Sequence, residues 1–342
     1  MKKYLFITGL LLSINCFAFD TWWHAECTRK AMVANGFSAD ARLATQVSNY
    51  LTDFMSVLDM GNDKLNEFKI NSLRVKSDKS YAYLHFDAIF TEQDIETNWE
   101  KLLNNTIGLL RKYSGGASIE PGFRLIIYYN IIGASLHTVQ DFYSHSNWVN
   151  LYMKTGTAPI PIWYEVAKSE RAKMKVLTGI YEKPFNGHIS HDELNKDNSS
   201  IQYNKEAVEA AERASIDWVK RLIDSVPGVP WSELKSYNIQ SDIVMKKFLV
   251  TQDASFVTSS SISGFHFDGK NPVKKVFANN VADDHTLAST VVLPKILVEY
   301  TNNMGNEKNK YRLPTPYWAG FMGYYISKEL AVGLKLNETV YK

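Results

Sequence analysis

Three side chains that can bind a metal recur at intervals of four residues in one apolar stretch of the chain. His137, Asp141 and His145 lie within residues 121–149, which read PGFRLIIYYNIIGASLHTVQDFYSHSNWV. Apolar side chains on every side of this stretch predict one long, buried helix that begins at Pro121 and continues to Val149. A step of four residues drifts by only about 40°, so the three side chains should point roughly the same way.

Burying one carboxylate and two imidazoles is costly unless they have partners. A divalent metal is the most economical partner, and a hydrogen-bonded His–Asp–His cluster in the core is the alternative. Further residues that suit a metal site occur in the same part of the chain; they are His24, Asp53, His85, His188, His191 and Asp192. Together these residues exceed the four to five ligands of one zinc ion, so their number suggests two or three metals. Imidazole and carboxylate ligands suit zinc.

Composition and charge exclude little. The chain has 342 residues, of which 45% are hydrophobic, and a formal net charge of +2. This is enough apolar material for a sizeable core, and the near balance of charge indicates neither a nucleic acid nor an acidic partner. We therefore expect no nucleic acid partner, and the sequence indicates no oligomeric state.

Residues 1–18 are predicted to be a Sec-type signal peptide cleaved after Ala18. Lys2 and Lys3 precede a short apolar run, and Cys16-Phe17-Ala18 suits cleavage. The run is too short to span a bilayer, so the mature chain should be secreted or periplasmic, without a transmembrane segment. Cleavage leaves Cys27 as the single cysteine, which excludes an intramolecular disulfide.

Apolar periodicity predicts helices at about 22–34, 39–59, 92–112 and 205–225, in addition to the central one. The polar stretch 61–79 is predicted to be a loop. Near residue 240 the composition changes, and the runs 296–300 and 310–313 are typical of strands. We therefore predict a helical catalytic domain over 19–240 and a small C-terminal region over 241–342, whose role is unknown.

The central motif resembles a known family. Residues 136–148, LHTVQDFYSHSNW, are similar to the signature of the bacterial zinc-dependent phospholipases C and their Het-C-type relatives. Residues 49–54, 84–88 and 187–192 resemble other motif segments of that family. The resemblance covers about residues 20–230. It implies the all-α fold shared with the S1/P1 nucleases, here with a small mixed or β-containing C-terminal appendage.

The resemblance also implies a site with three zinc ions. Its ligands would be Phe19 through the free N-terminus, together with His24, Asp53, His85, His137, Asp141, His145, His188 and Asp192. Asp53 would bridge two metals and accept the proton of a water that the metals activate for attack on phosphorus. His191 competes with His188 for its place, and Asp87 and Asn147 would orient ligands. The spacing from Asp141 to His145 fits the Het-C-like branch.

Three functions remain open at this stage. The first is a secreted phospholipase C that acts on phosphatidylcholine or a similar lipid at a membrane surface and releases diacylglycerol and a phosphorylated head group. Aromatic residues near the motif (Trp148, Tyr152, Trp163 and Tyr164) would form its lipid-facing mouth. The second is an S1/P1-type zinc nuclease or nucleotidase. The third is a non-enzymatic, metal-stabilised protein that binds membranes or has a structural role.

Overall fold

The computed structural model describes residues 21–55, 58–59, 67–70, 79–114, 121–180, 188–197, 199–238, 310–312, 330 and 333–334. Helix predominates among these residues and strand is a small minority, so the predicted all-α character is confirmed. Within this described part, no helix is both long and apolar enough to cross a membrane. The predicted signal peptide, Phe19 and most of 241–342 lie outside the described residues.

The helices are numbered here in chain order. They are α1 Thr21–Ala34, α2 Ala39–Met55, α3 Lys79–Leu84, α4 Glu92–Ser114, α5 Pro121–His145, α6 Trp148–Lys154, α7 Lys168–Arg171, α8 His191–Leu194, α9 Asn204–Ser225 and α10 Trp231–Lys235. The strands are β1 Leu58–Asp59, β2 Glu67–Ile70, β3 Gly179–Ile180, β4 Ile189–Ser190 and β5 Lys310–Arg312. The four predicted helices that flank α5 in sequence are therefore confirmed as α1, α2, α4 and α9, but the predicted end of α2 at residue 59 is wrong, because Leu58–Asp59 is a strand.

Local sequence signals account for several helix ends. Gly36 has a positive φ of 80°, which a glycine adopts without strain, and ends α1. The Ser38 hydroxyl accepts a hydrogen bond from the Ala41 amide at the start of α2. The Thr91 hydroxyl does the same for the Asp94 amide at the start of α4. Each hydroxyl satisfies an amide that has no partner within the helix.

Helix α5 forms the centre of the fold. It packs against α2, α9, α4 and α1, and α1 also packs against α2 and α9. Every side chain from Ile127 to Trp148 is buried, so the prediction of a buried central helix is confirmed. Side chains from four surrounding helices can therefore contact α5.

The central helix is shorter than the sequence predicts, because it ends at His145 rather than continuing to Val149. The amide of Asn147 donates to Leu177 O at 3.0 Å instead of to the preceding turn, and Ser146 pairs with Thr178 in an antiparallel bridge. The Asn147 side chain also bonds the 175–177 backbone. A second short helix, α6, then starts at Trp148.

The described strands are short and form two small sheets. β1, β2 and β5 form an antiparallel sheet, so the predicted strand at 310–313 is confirmed. The prediction of a loop throughout 61–79 is wrong, because β2 lies within it and pairs with two partners. The predicted strand at 296–300 lies outside the described residues. Leu330 and Leu334 are buried in the same core as α5.

Gly133 allows α2 and α5 to approach closely. A Cβ atom at this position would lie 2.7 Å from the Thr45 carbonyl oxygen and 2.8 Å from the Asn49 amide nitrogen. Both are backbone atoms of α2, so a larger residue must move the whole helix.

We therefore expect Gly133→Ala to lower the free energy of unfolding by about 1–3 kcal/mol, measured by urea denaturation. Gly108→Ala is the matched control, because Gly108 also lies within a long helix but a Cβ there meets no atom within 4 Å. Alanine at 108 should raise stability by up to about 1 kcal/mol through its better helix propensity. Equal effects of the two substitutions would contradict the close α2–α5 contact.

Candidate metal centre

Two groups of buried imidazoles and carboxylates lie beside the C-terminal half of α5. In each group, one ligand atom per residue lies within 4.8 Å of the others, which is close enough for a shared metal ion. The first group contains His24, His137 and Asp141, and the second contains Asp87, His145 and His191. All six side chains are buried.

The first group surrounds one carboxylate, and we call it the Asp141 cluster; it consists of His24, His85, His137 and Asp141. Oδ1 of Asp141 lies 3.1 Å from His24 Nε2. Its Oδ2 lies 2.9 Å from His85 Nδ1 and 3.1 Å from His137 Nε2. His85 Nδ1 and His137 Nε2 are themselves 3.1 Å apart. Two helices and the turn after a third thus bring three imidazoles to a single acid.

Two side-chain amides support this cluster from behind. His24 Nδ1 lies 2.6 Å from Gln140 Oε1, and His137 Nδ1 lies 3.1 Å from Asn49 Oδ1. The two amides contact each other, since Asn49 Nδ2 lies 2.9 Å from Gln140 Oε1. Both amides are buried, with relative exposures of 0–1%.

The second group, the Asp87 cluster, consists of Asp87, His145, His191 and Asp197. His145 Nδ1 lies 3.0 Å from Asp87 Oδ2, and His191 Nδ1 lies 3.1 Å from both oxygens of Asp87. On its other side, His145 Nε2 lies 3.4 Å from Asp197 Oδ1. His145 therefore lies between two carboxylates.

Backbone geometry fixes the position of Asp87. The residues on either side of it, Phe86 and Ala88, have positive φ angles of 53° and 55°. A non-glycine residue in this left-handed region costs of order 1 kcal/mol or more and persists only where its surroundings impose it. Gly179 allows the neighbouring chain to come close, since a Cβ there would lie 2.7 Å from His191 Cα and 3.1 Å from Asp87 Oδ1.

A buried lysine holds the end of α5 beside the Asp87 cluster. Lys196 Nζ donates to the carbonyl oxygens of Ser144, Ser146 and Leu194 at 2.7–3.1 Å. A cation at the C-terminal end of a helix satisfies carbonyls that have no partner within the helix and interacts favourably with the helix dipole. Burial lowers the pKa of Lys196 to about 7, whereas Asp197 next to it acts in the opposite direction.

The carboxylates and imidazoles perturb one another's ionisation. Burial acts to raise the pKa of Asp141, but His137 and His24 outweigh this and hold the pKa well below its usual range. Burial also acts to raise the pKa of Asp87, but the nearby His145 and His191 lower it to about 2. For His145, burial acts to lower the pKa, yet Asp87 and Asp197 raise it well above the ordinary value.

Both clusters fit a divalent metal ion. Ligands of a tetrahedral zinc lie about 2.0–2.2 Å from the metal, which places donor atoms roughly 3.3 Å apart. The donor contacts around Asp141 and between His145 and Asp197 measure 2.9–3.4 Å. Three buried atoms here also have no hydrogen-bond partner among the described residues: Asp141 Oδ1, His145 Nε2 and Asp197 Oδ2. A cation would give these atoms a partner.

The structure brings together some of the residues that the sequence predicts as ligands and separates others. His24, His85, His137 and Asp141 share one cluster, and His145 lies in the other. His188 is half-buried against Phe90, at 5.3 Å between ring centroids, and Asp192 is exposed. Asp53 lies in α2, but its side chain, like Phe19, is outside the described part of the chain.

Several residues of the site were not predicted as ligands. His191, which the sequence offered only as a competitor of His188, occupies the Asp87 cluster. Asp87, predicted to orient ligands, contacts both His145 and His191, whereas Asn147 contacts backbone atoms of 175 and 177. Asp197 and Gln140 were missed. For Gln140, its position one residue before Asp141 in the motif could have indicated a role in the site. For Asp197, the sequence offers no such indication.

Comparisons with protein-family models, with curated proteins and with solved structures find no match. The resemblance described above therefore rests on the motif residues alone.

The pH dependence of stability should distinguish a metal site from a hydrogen-bonded cluster. In chelator-treated protein, the lowered pKa of Asp87 gives stability above about pH 4 that is lost as the pH falls towards 2. The raised pKa of His145 gives stability that is complete below about pH 6.5 and is lost as the pH rises through its folded-state value. Metal binding has the opposite dependence, because the ligands must lose protons to bind.

We therefore expect the Tm of chelator-treated protein to fall as the pH rises above 7, and the Tm gain on adding Zn²⁺ to grow over the same range. Differential scanning calorimetry with and without Zn²⁺ measures both. A Zn²⁺ effect that is absent, or that shrinks as the pH rises, would favour the hydrogen-bonded cluster.

Proposed function

We propose that this protein is a secreted, zinc-dependent phospholipase C, which hydrolyses the glycerol-side phosphodiester bond of phospholipids such as phosphatidylcholine. The observation that carries the proposal is the pair of buried clusters beside α5, whose central segment is the one that resembles the zinc-dependent phospholipases C. Two adjacent sites rich in imidazole and carboxylate are suited to clamping a phosphate group.

The Asp141 cluster would hold zinc through His24 Nε2, His137 Nε2, His85 Nδ1 and the carboxylate of Asp141. The two oxygens of Asp141 face different imidazoles, one towards His24 and the other towards His85 and His137. Asp141 would therefore offer a donor oxygen on two sides of the cluster, whereas the family resemblance gives the bridging role to Asp53. The resemblance adds Asp53 and the N-terminus of Phe19 to the same site.

The Asp87 cluster would hold zinc mainly through atoms on the far side of its imidazoles. His145 Nδ1 lies 3.1 Å from the backbone carbonyl oxygen of His85. Because a carbonyl oxygen can only accept a hydrogen bond, Nδ1 of His145 carries the proton. His191 Nδ1 contacts both oxygens of Asp87 and donates in the same way. Asp87 then orients the two rings, as carboxylates behind metal-bound histidines commonly do. The residues that would hold the metal are then His145 and His191, through Nε2, and Asp197.

If zinc were bound by these residues, it would supply a lowered pKa for water and positive charge next to phosphate oxygens. The residues of the chain hold the donor atoms in place. Helices α1 and α5 and the turn after α3 hold the donors around Asp141. Lys196 holds the end of α5 beside the Asp87 cluster, and Gly179 allows the chain to come close to Asp87. Asp53 remains our candidate for the proton acceptor.

The choice of a lipid substrate rests on the family resemblance and on the near-zero net charge. The aromatic residues expected at a lipid-facing mouth do not all support it, since Trp148 and Trp163 are buried and pack against Phe142. Among the described residues, Val33 is the only large apolar side chain that is exposed. An S1/P1-type nuclease is therefore the second candidate, because single phosphodiesters in water require no apolar surface around the site.

Metal analysis combined with substrate assays tests the proposal. We expect two to three zinc atoms per chain, hydrolysis of phosphatidylcholine to diacylglycerol, and loss of that activity with a chelator. Hydrolysis of nucleic acid but not of phosphatidylcholine would assign the protein to the nuclease candidate. If neither substrate is hydrolysed and the chelator only lowers Tm, the metal has a structural role and the proposal fails.

Asp141→Asn should abolish hydrolysis, with a loss of at least about a hundredfold, since it removes the charge that every imidazole of its cluster faces. It should also reduce bound zinc. Asp217→Asn is the control, because Asp217 lies on α9 in a partly exposed pair with Arg221, outside both clusters. An Asp141→Asn protein with full activity and zinc content would remove the metal site from the mechanism.

A further inference from the structure

A buried chain of hydrogen bonds connects α9 to two of the three imidazoles that face Asp141. It starts at Ser215, passes through the amides of Gln140 and Asn49, and ends at His24 and His137. We call these two amides and Ser215 the amide relay. All five side chains are buried at 0–1% exposure.

The direction of every bond in the relay follows from its first member. The Ser215 hydroxyl donates to Ala211 O at 2.7 Å, so its oxygen is left to accept from Gln140, 3.1 Å away. The Gln140 atom that faces Ser215 must therefore be its NH2 group, Nε2. The same group donates to Thr28 Oγ1 at 3.2 Å. The Gln140 oxygen, Oε1, must then face His24 and Asn49.

The second amide follows from the first. Gln140 Oε1 can only accept, so the Asn49 atom 2.9 Å from it is the NH2 group, Nδ2. The Nδ2 group also donates to Thr28 Oγ1 at 2.8 Å. The Asn49 oxygen, Oδ1, is left facing His137 Nδ1 at 3.1 Å. Each imidazole thus meets an amide oxygen at its Nδ1 atom, and that oxygen accepts only.

We infer that Gln140 and Asn49 are positioning residues that set the tautomers of His24 and His137, so that both rings carry a proton on Nδ1 and present Nε2 to Asp141. Ser215, on α9, fixes the orientation of both amides through its contact with Gln140. If Gln140 turned over, its NH2 group would face the NH2 group of Asn49, so Asn49 would have to turn with it. The two tautomers are therefore coupled.

This arrangement matters for the site because of what faces Nε2. His24 Nε2 and His137 Nε2 each lie 3.1 Å from an oxygen of Asp141. With Nδ1 protonated, the neutral rings direct lone pairs at a carboxylate, and such contacts are favourable only when a cation lies between them. The inference rests on the proposed metal site for its functional meaning, but the tautomers can be measured without any metal.

The first experiment is long-range ¹H–¹⁵N NMR on the side chains of uniformly ¹⁵N-labelled full chain, treated with chelator, at pH 8. His24→Gln and His137→Gln variants assign the two signals. We expect Nδ1 to carry a proton in both rings. A ring whose Nδ1 has no proton would overturn the inference, whether or not the protein binds zinc.

The second experiment is the substitution Ser215→Ala, which removes the hydroxyl that accepts from Gln140. Ser215 itself contacts neither imidazole. Without the anchoring acceptor, we expect a population in which Nδ1 carries no proton to appear in both rings together, and the affinity for Zn²⁺ to fall about 10–100-fold. The affinity is measured by competition with a chelating dye.

Ser135→Ala is the matched control. Ser135 is equally buried, donates to a carbonyl of its own helix and accepts from Trp218 Nε1, but lies outside the relay. It should leave both tautomers unchanged and alter the Zn²⁺ affinity by less than about threefold. If Ser215→Ala behaves like Ser135→Ala, the relay does not set the tautomers. If no form binds Zn²⁺ but Nδ1 is protonated in both rings, the inference holds and the proposed function fails.

Discussion

A buried carboxylate imposes the main constraint on this structure. Asp141 lies in the middle of the fold with no exposed surface, and an isolated charge in such a place costs several kcal/mol after relaxation. The surrounding elements compensate for this cost: α1 contributes His24, the turn after α3 contributes His85, and α5 contributes His137. Behind them, Gln140 of α5 contacts His24, Asn49 of α2 contacts His137, and Ser215 of α9 contacts Gln140. The way the helices pack around α5 therefore also determines the geometry of the site.

Small residues make this convergence possible. Gly133 lets the backbone of α2 approach α5 at the level of Asn49, and Gly179 lets the 188–197 segment approach Asp87. A methyl group at either position would meet backbone atoms at 2.7 Å, which is closer than real contacts allow. The positive φ angles at Phe86 and Ala88 have a related role, since they turn the chain so that His85 and Asp87 serve different clusters.

The sequence predicts what depends on local periodicity. The five long helices follow from the spacing of apolar residues, and the i, i+4 spacing of His137 and Asp141 correctly places them on one face. His145 shows where this reasoning stops: two steps of four residues rotate it by about 80° from His137, enough to reach a different set of partners. The choice of His191 over His188, and the participation of Asp197, depend on how β4 pairs with β3 beside Gly179. No local pattern encodes that pairing.

The balance of buried charge is the physical reason why a cation would suit both clusters. Near the site, the described residues include three buried carboxylates, from Asp87, Asp141 and Asp197, and one buried ammonium, from Lys196. With neutral imidazoles this leaves an excess of two negative charges in a region of low dielectric, where uncompensated charge is costly. Protons on the imidazoles can compensate for it, as the raised pKa of His145 indicates. Two divalent cations would instead reverse the sign, and a site that is positive overall when loaded is suited to an anionic phosphodiester.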